Sequence, residues 1–141
     1  MQAQMRIWFP EPMTTTRPLT YLACPYSHPD REVRVERFEA ANVASAHLMA
    51  LGKVVFSPIS HTHPIAEVAD LPKGWDYWKE FDLAYLSCSC EVYVLKLGGW
   101  EESKGVTAEI ATAEKMKIPV HYLEDLDPSD PGRKFERKGA G

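Results

Sequence analysis

The chain has 141 residues, 45% hydrophobic and 26% charged, with a net charge of −4 at neutral pH, which suits one domain with a sizeable core. The acidic balance argues against a nucleic-acid or acidic-membrane partner, yet a helix N-terminus can still take a small anion. No apolar run reaches the roughly eighteen residues of a membrane span, no secretory leader pattern opens the chain, and three cysteines make no disulfide framework, so a reducing, cytoplasmic setting is expected.

Residues 1–18 hold three prolines and "TTT" and read as a loose extension. An apolar run from Leu19 to Cys24, stopped by Pro25, reads as a buried strand ending in a loop. Asp30 can cap a helix to Leu51, with Val35, Phe38, Ala41, Ala44, Leu48 and Leu51 at helical spacing and Gly52 as its stop. "KVVFSPIS" is β-branched and aromatic until Pro58, a second strand running into a long loop, "HTHPIAEVADLPKG". "WDYWKEFDLAYLSCS" has mostly helical apolar spacing, "EVYVLKL" is a third strand and "GGWEESKG" its outgoing loop. A helix from Ser103 to about Lys117 and a strand, "IPVHYL", follow; residues 125–141 form a polar tail.

Strands alternate with helices and no hairpin signal intervenes. The expectation is an α/β, doubly wound, flavodoxin- or Rossmann-like parallel sheet of four to five strands flanked by helices, one domain over residues 19–124. Ligands of such sheets sit beyond the carboxyl ends of the strands. Three loops fall there: "CPYSHPD", "PISHTHPIAEV" and "GGWEESKG".

Glu109 is the sixth residue after Ser103, in the second turn of a helix that starts from the third loop. Free amides beside a carboxylate suit a ligand with an anionic or hydroxyl-rich part and an electron-poor carbon. A solvated helix glutamate is the commoner reading of such a position. Asp82 interrupts the apolar stretch "WKEFDLAYL". On its helix's polar side it is ordinary; facing the strand ends, burial would raise its pKa and make it a proton donor. Two carboxylates with separated roles are what cleavage of a glycosidic bond requires.

Tyr21 and Tyr26 bracket the end of the first strand, where most tyrosines are core. Cys24 has no activating partner that the sequence specifies. His61 and His63 would share one side of an extended segment, but Cys88 and Cys90 sit where a helix ends and diverge, so no metal site is expected. Trp75, Tyr77 and Trp78 read as core that leaves room for a stacking wall against a planar base.

Three places carry a resemblance: "YLAC" at the end of the first strand, "EFDLAYLSCSCEVYVL", and "SKGVTAEIATA". Over roughly residues 19–123 the chain resembles the nucleoside 2-deoxyribosyltransferase superfamily, which includes the 2'-deoxynucleoside 5'-monophosphate N-hydrolases. The last segment is similar to that superfamily's S-x-G-V-x-x-E, whose glutamate is the nucleophile. The resemblance implies a doubly wound fold and a retaining mechanism without cofactor. Glu109 would attack the anomeric carbon, Asp82 would assist departure of the base, and Tyr21 would orient Glu109. Ser103, Gly105 and the helix amides would meet the 5' end of a nucleoside or nucleotide. Cys24, Tyr26, Ser27 and His28 on the first loop, His61 on the second and Trp78 complete the expected substrate contacts. It also implies a homodimer or higher homo-oligomer; the helix from Trp75 to Leu86, too apolar all round for one buried face, is the candidate interface.

The pattern departs from that superfamily in two ways. The hydrolases' first loop is rich in glycine and arginine, whereas here it reads "CPYSHPD", and Glu101 and Glu102 precede Ser103, where they would repel a phosphate. Two further functional readings follow from the sequence: a non-catalytic module that senses a nucleotide in the same crevice, and a thiol enzyme using Cys24.

Overall fold

The computed structural model describes residues 18–125. Four strands and four helices alternate through it: β1 (Leu19–Ala23), α1 (Arg31–Ala50), β2 (Val54–Phe56), α2 (Pro58–Ala69), α3 (Trp75–Ser87), β3 (Glu91–Lys96), α4 (Lys104–Lys115) and β4 (Val120–Glu124). The expected extension and tail lie almost wholly outside the described residues.

All strand pairs are parallel, in the order β2-β1-β3-β4. In the register Tyr21 stands beside Phe56 on one side and Val92 on the other. Alternation along β1 divides the core in two. Tyr21 and Ala23 face Leu86 of α3 with Val106 and Ala113 of α4. Leu22 and Cys24 face Ala41, Ala44 and Leu48 of α1 with Ile59 of α2. Helices therefore cover both faces, the doubly wound α/β arrangement that the alternation of elements predicts. The helices after β1 and β3 lie on opposite faces, and that divergence opens a crevice at the carboxyl ends of these neighbouring strands.

Local chemistry accounts for most boundaries. Asp30 caps α1 by accepting from Glu32 N, and Ser103 caps α4 by accepting from Val106 N. The expected long loop after β2 is instead α2. Ser57 caps it through Ser60 N and Pro58 occupies the first turn, where a missing N–H costs nothing. Asp70, left-handed at φ 52°, returns its N–H to Ala66 O, and Pro64 is tolerated inside. Two prolines mask a helix that its own caps hold.

Candidate active site

Tyr21 and Glu109 meet on the face that α3 and α4 cover. Side chains of β1 alternate, so Tyr21 points to α4 while Leu22 points to α1. Ser103 starts α4 so that Glu109 falls in its second turn, 4% exposed. There Glu109 Oε2 accepts a hydrogen bond from the Tyr21 hydroxyl. Burial pushes the Glu109 pKa up to about 8; the tyrosine bond opposes this and the Asp82 charge adds to it. Burial likewise pushes Asp82 up to about 7, the value wanted of a proton donor near neutrality. Asp82 also bears electrostatically on Tyr21, so the three groups form one cluster drawn from β1, α3 and α4.

Both carboxylates line a single cavity of about 490 Å³ at the crevice. Cys24, Tyr26, Ser27 and Trp78 line it too, as do Ser103 and Gly105 at the start of α4. Gly105 lets Trp75 lie against the helix, since a Cβ there would meet the ring at 3.1 Å. Arg37 ties the first and third loops together: Nη1 donates to Ser27 O at 3.0 Å and Nη2 to Gly98 O at 3.3 Å. Ser27 Oγ donates to Lys73 O at 2.8 Å, which joins the first loop to the segment before α3.

Tyr21 stands behind Glu109 with its hydroxyl on the carboxylate, the orienting position expected of it. Two expected substrate contacts fall elsewhere. His28 lines a small neighbouring hollow with Pro29 and Lys73, and its Nδ1 accepts from Asp30 N at 3.0 Å. His61 is exposed and packs against Phe56 and Tyr85, centroids 5.6 and 6.2 Å away. The reason is the helix: residues two apart on α2 are about 200° apart around its axis, not on one side as in an extended chain. His63 is consequently the inward histidine, 6% exposed and bonded to Tyr26. Cys24 is buried too, and burial pushes its thiol far above the usual range, away from the thiolate that nucleophilic chemistry needs.

The sequence reading missed Arg37 and Lys73 as cavity residues and His63 as a neighbour of the wall. Arg37 sits among charges that read as a solvated helix face, and only its reach across to Gly98 reveals another role. Among the described residues no group of three His, Cys, Asp or Glu side chains could hold a metal ion. No described helix is long and apolar enough to cross a membrane.

The family model described as "Domain of unknown function (DUF1937)" matches residues 18–125. The chain belongs to that family. No curated protein matches it. The match spans β1 to β4 and so includes every residue of the Tyr21–Asp82–Glu109 cluster.

Proposed function

We propose that this DUF1937 protein cleaves the N-glycosidic bond of a (deoxy)nucleoside or its 5'-monophosphate, with Glu109 as nucleophile. The observation that carries the reading is the carboxylate of Glu109, buried against Tyr21 and sharing one cavity with a second carboxyl of raised pKa, Asp82. Ionised Glu109 attacks C1' as the bond from C1' to the base nitrogen breaks, and Asp82 gives its proton to the departing base. Water then attacks C1' of the glycosyl ester, losing a proton to Asp82 and releasing Glu109; a second base in place of water gives transfer. Tyr21 holds the attacking oxygen and favours its charged form.

Lys73, Lys104 and Arg37 on the cavity wall support a 5'-phosphate, while Asp76 and Glu102 on the same wall oppose it. The substrate class therefore includes both nucleosides and monophosphates. A homodimer fits the same reading: Tyr77, Phe81 and Tyr85 expose 41%, 50% and 41% of their surface along α3, an aromatic face that a second copy would cover. Light scattering at micromolar concentration tests it, and a monomer would count against it.

The test of function is a screen of the common nucleosides and their monophosphates for liberated base, with and without an acceptor base. Turnover by the wild type and its loss by several orders of magnitude in folded Glu109→Gln supports the reading. Equal turnover in that variant removes Glu109 from the chemistry.

A second reading is favoured by one observation: with a pKa of about 8, Glu109 is mostly neutral at pH 7, which suits holding a ligand more than attacking it. On that reading the protein binds a nucleotide-like signal without turning it over. Tight binding in calorimetry with no product after long incubation decides for it.

A further inference from the structure

We propose that His63 is a positioning residue that sets the aromatic wall of the cavity and makes ligand binding depend on its neutral form. The inference rests on the functional reading above only in taking the ligand's planar part to be a nucleoside base. Three aromatic side chains line the cavity: Tyr26, Trp75 and Trp78. Trp78 is held by its Nε1, which donates to Pro72 O at 2.7 Å, and Trp75 lies against Gly105. Neither anchor titrates. Tyr26 is held through its hydroxyl, 2.5 Å from His63 Nδ1.

His63 has little freedom to leave. It is 6% exposed, stacked on Phe38 of α1 at 4.4 Å between centroids, and edge-on to the Tyr26 ring at 5.6 Å. Around it stand Arg31 and Arg34 of α1, Glu67 of its own helix, Lys73 from the segment before α3, and Tyr26. The one carboxylate in this set, Glu67, is already engaged by Arg31 at 2.6 and 3.0 Å. Burial, with three nearby cations, holds the imidazole neutral and moves its pKa below that of free histidine. The Tyr26 hydroxyl stays protonated, because burial raises its pKa.

The Arg34 guanidinium also bears on the Tyr26 hydroxyl and can only donate to it, so we assign Tyr26 as the donor to Nδ1 and the ring proton to Nε2. Protonating Nδ1 turns this acceptor into a second donor facing the hydroxyl and adds a positive charge beside Arg31, Arg34 and Lys73. The Tyr26 contact is thereby weakened, and with it the wall that Tyr26 gives the cavity beside the first loop, which Ser27 joins to Lys73.

The experiment is calorimetric titration with adenosine and thymidine as probes, from neutral pH to below pH 6.5, the value of free histidine. Glu109, near 8, is largely neutral over that range, and Asp82, near 7, finishes taking up its proton in the upper part, so the His63 limb is read in the acid part. Wild-type affinity is expected to weaken at least about fivefold there, the worth of one hydrogen bond. His63→Gln, whose amide oxygen still accepts from Tyr26, is expected to bind near neutrality and to lack the acid limb. His63→Leu is expected to bind weakly throughout. An acid limb that persists in His63→Gln overturns the proposal.

Failure of both probes to bind the wild type counts against the functional reading and not against this one. Imidazole NMR of the unliganded protein then decides. The expected spectrum has neutral His63 protonated at Nε2, with a midpoint below 6.5 that moves upward in Tyr26→Phe. Protonation at Nδ1, or a midpoint unmoved by Tyr26→Phe, overturns it.

Discussion

Tyr21 and Glu109, 88 residues apart in the chain, share a buried hydrogen bond that joins the central strand β1 to helix α4. The bond favours the charged carboxylate, while burial and Asp82 favour the neutral one. Tyr21→Phe keeps the ring that fills the core and removes only the donor. The expected result is a further rise in the Glu109 pKa and, on the proposed reaction, a loss of about tenfold to a hundredfold in kcat, the range for a hydrogen bond to a charged group. Kinetics of base release with carbonyl-region infrared titration of Glu109 check both. Unchanged kcat would place Tyr21 in the core alone.

The two carboxyls set a pH profile. The nucleophile must be ionised and the donor protonated, with values near 8 and 7, so kcat/KM is expected to be bell-shaped with its maximum between them. Asp82→Asn removes the donor and the charge that helps raise Glu109. Its residual activity should therefore rise along a single limb with a midpoint below 8. Rate measurements on wild type and variant across the neutral range test this.

Stability should run against charge at the same site. Both folded values lie above the ordinary 4.5 and 3.8, so the contribution of these groups is fully present below about pH 4 and is lost as pH rises through 7 and 8. Glu109→Gln cannot ionise. Above pH 8 it should melt higher than the wild type, by roughly 4 °C, the shift that about 1 kcal/mol produces in a domain of this size. Below pH 4 the two should melt nearly together. Calorimetric scans at both extremes check the sign.

Gly99 lies at φ +89°, and a Cβ there would stand 2.9 Å from Arg37 Nη2. Gly99→Ala should cost about 1–2 kcal/mol from the left-handed backbone alone. It should also weaken ligand binding, because the Arg37 strap between Ser27 and Gly98 is disturbed. Denaturant melts and calorimetry measure the two effects; neither changing would show that the strap has no role.

Cys88 and Cys90 are exposed and Cys24 is buried. With iodoacetamide at neutral pH, mass spectrometry should find modification at the two exposed positions, with Cys24 reacting only on unfolding. Rapid alkylation of Cys24 in the native protein would revive the thiol reading.

Elements and their order were legible from residue patterns because caps and periodicity act over a few positions. Asp30 and Ser103 start their helices where side-chain oxygens can take free amides, and the apolar spacing of α1 is local. Glu109 could be placed in a second turn on that basis. The segment after β2 was not legible: Pro58 ended the strand reading and what followed, Pro64 included, read as a long loop, whereas Pro58 sits harmlessly in the first turn and Pro64 lies inside a helix whose Ile59, His63 and Ala66 are buried. That single misreading exchanged His61 for His63 as the inward histidine, since helix and extended chain turn alternate residues to different sides.

The sequence by itself determined the alternating architecture and the carboxylates worth watching, because propensity, capping and polarity belong to each segment alone. Only the tertiary structure decided that Tyr21, Asp82 and Glu109 form one cluster, that Arg37 straps two loops, and that Tyr26 leans on His63. Those relationships depend on strand order and on which face each helix covers. Long-range packing sets both, and packing also supplies the desolvation that turns two ordinary acids into groups with raised pKa values.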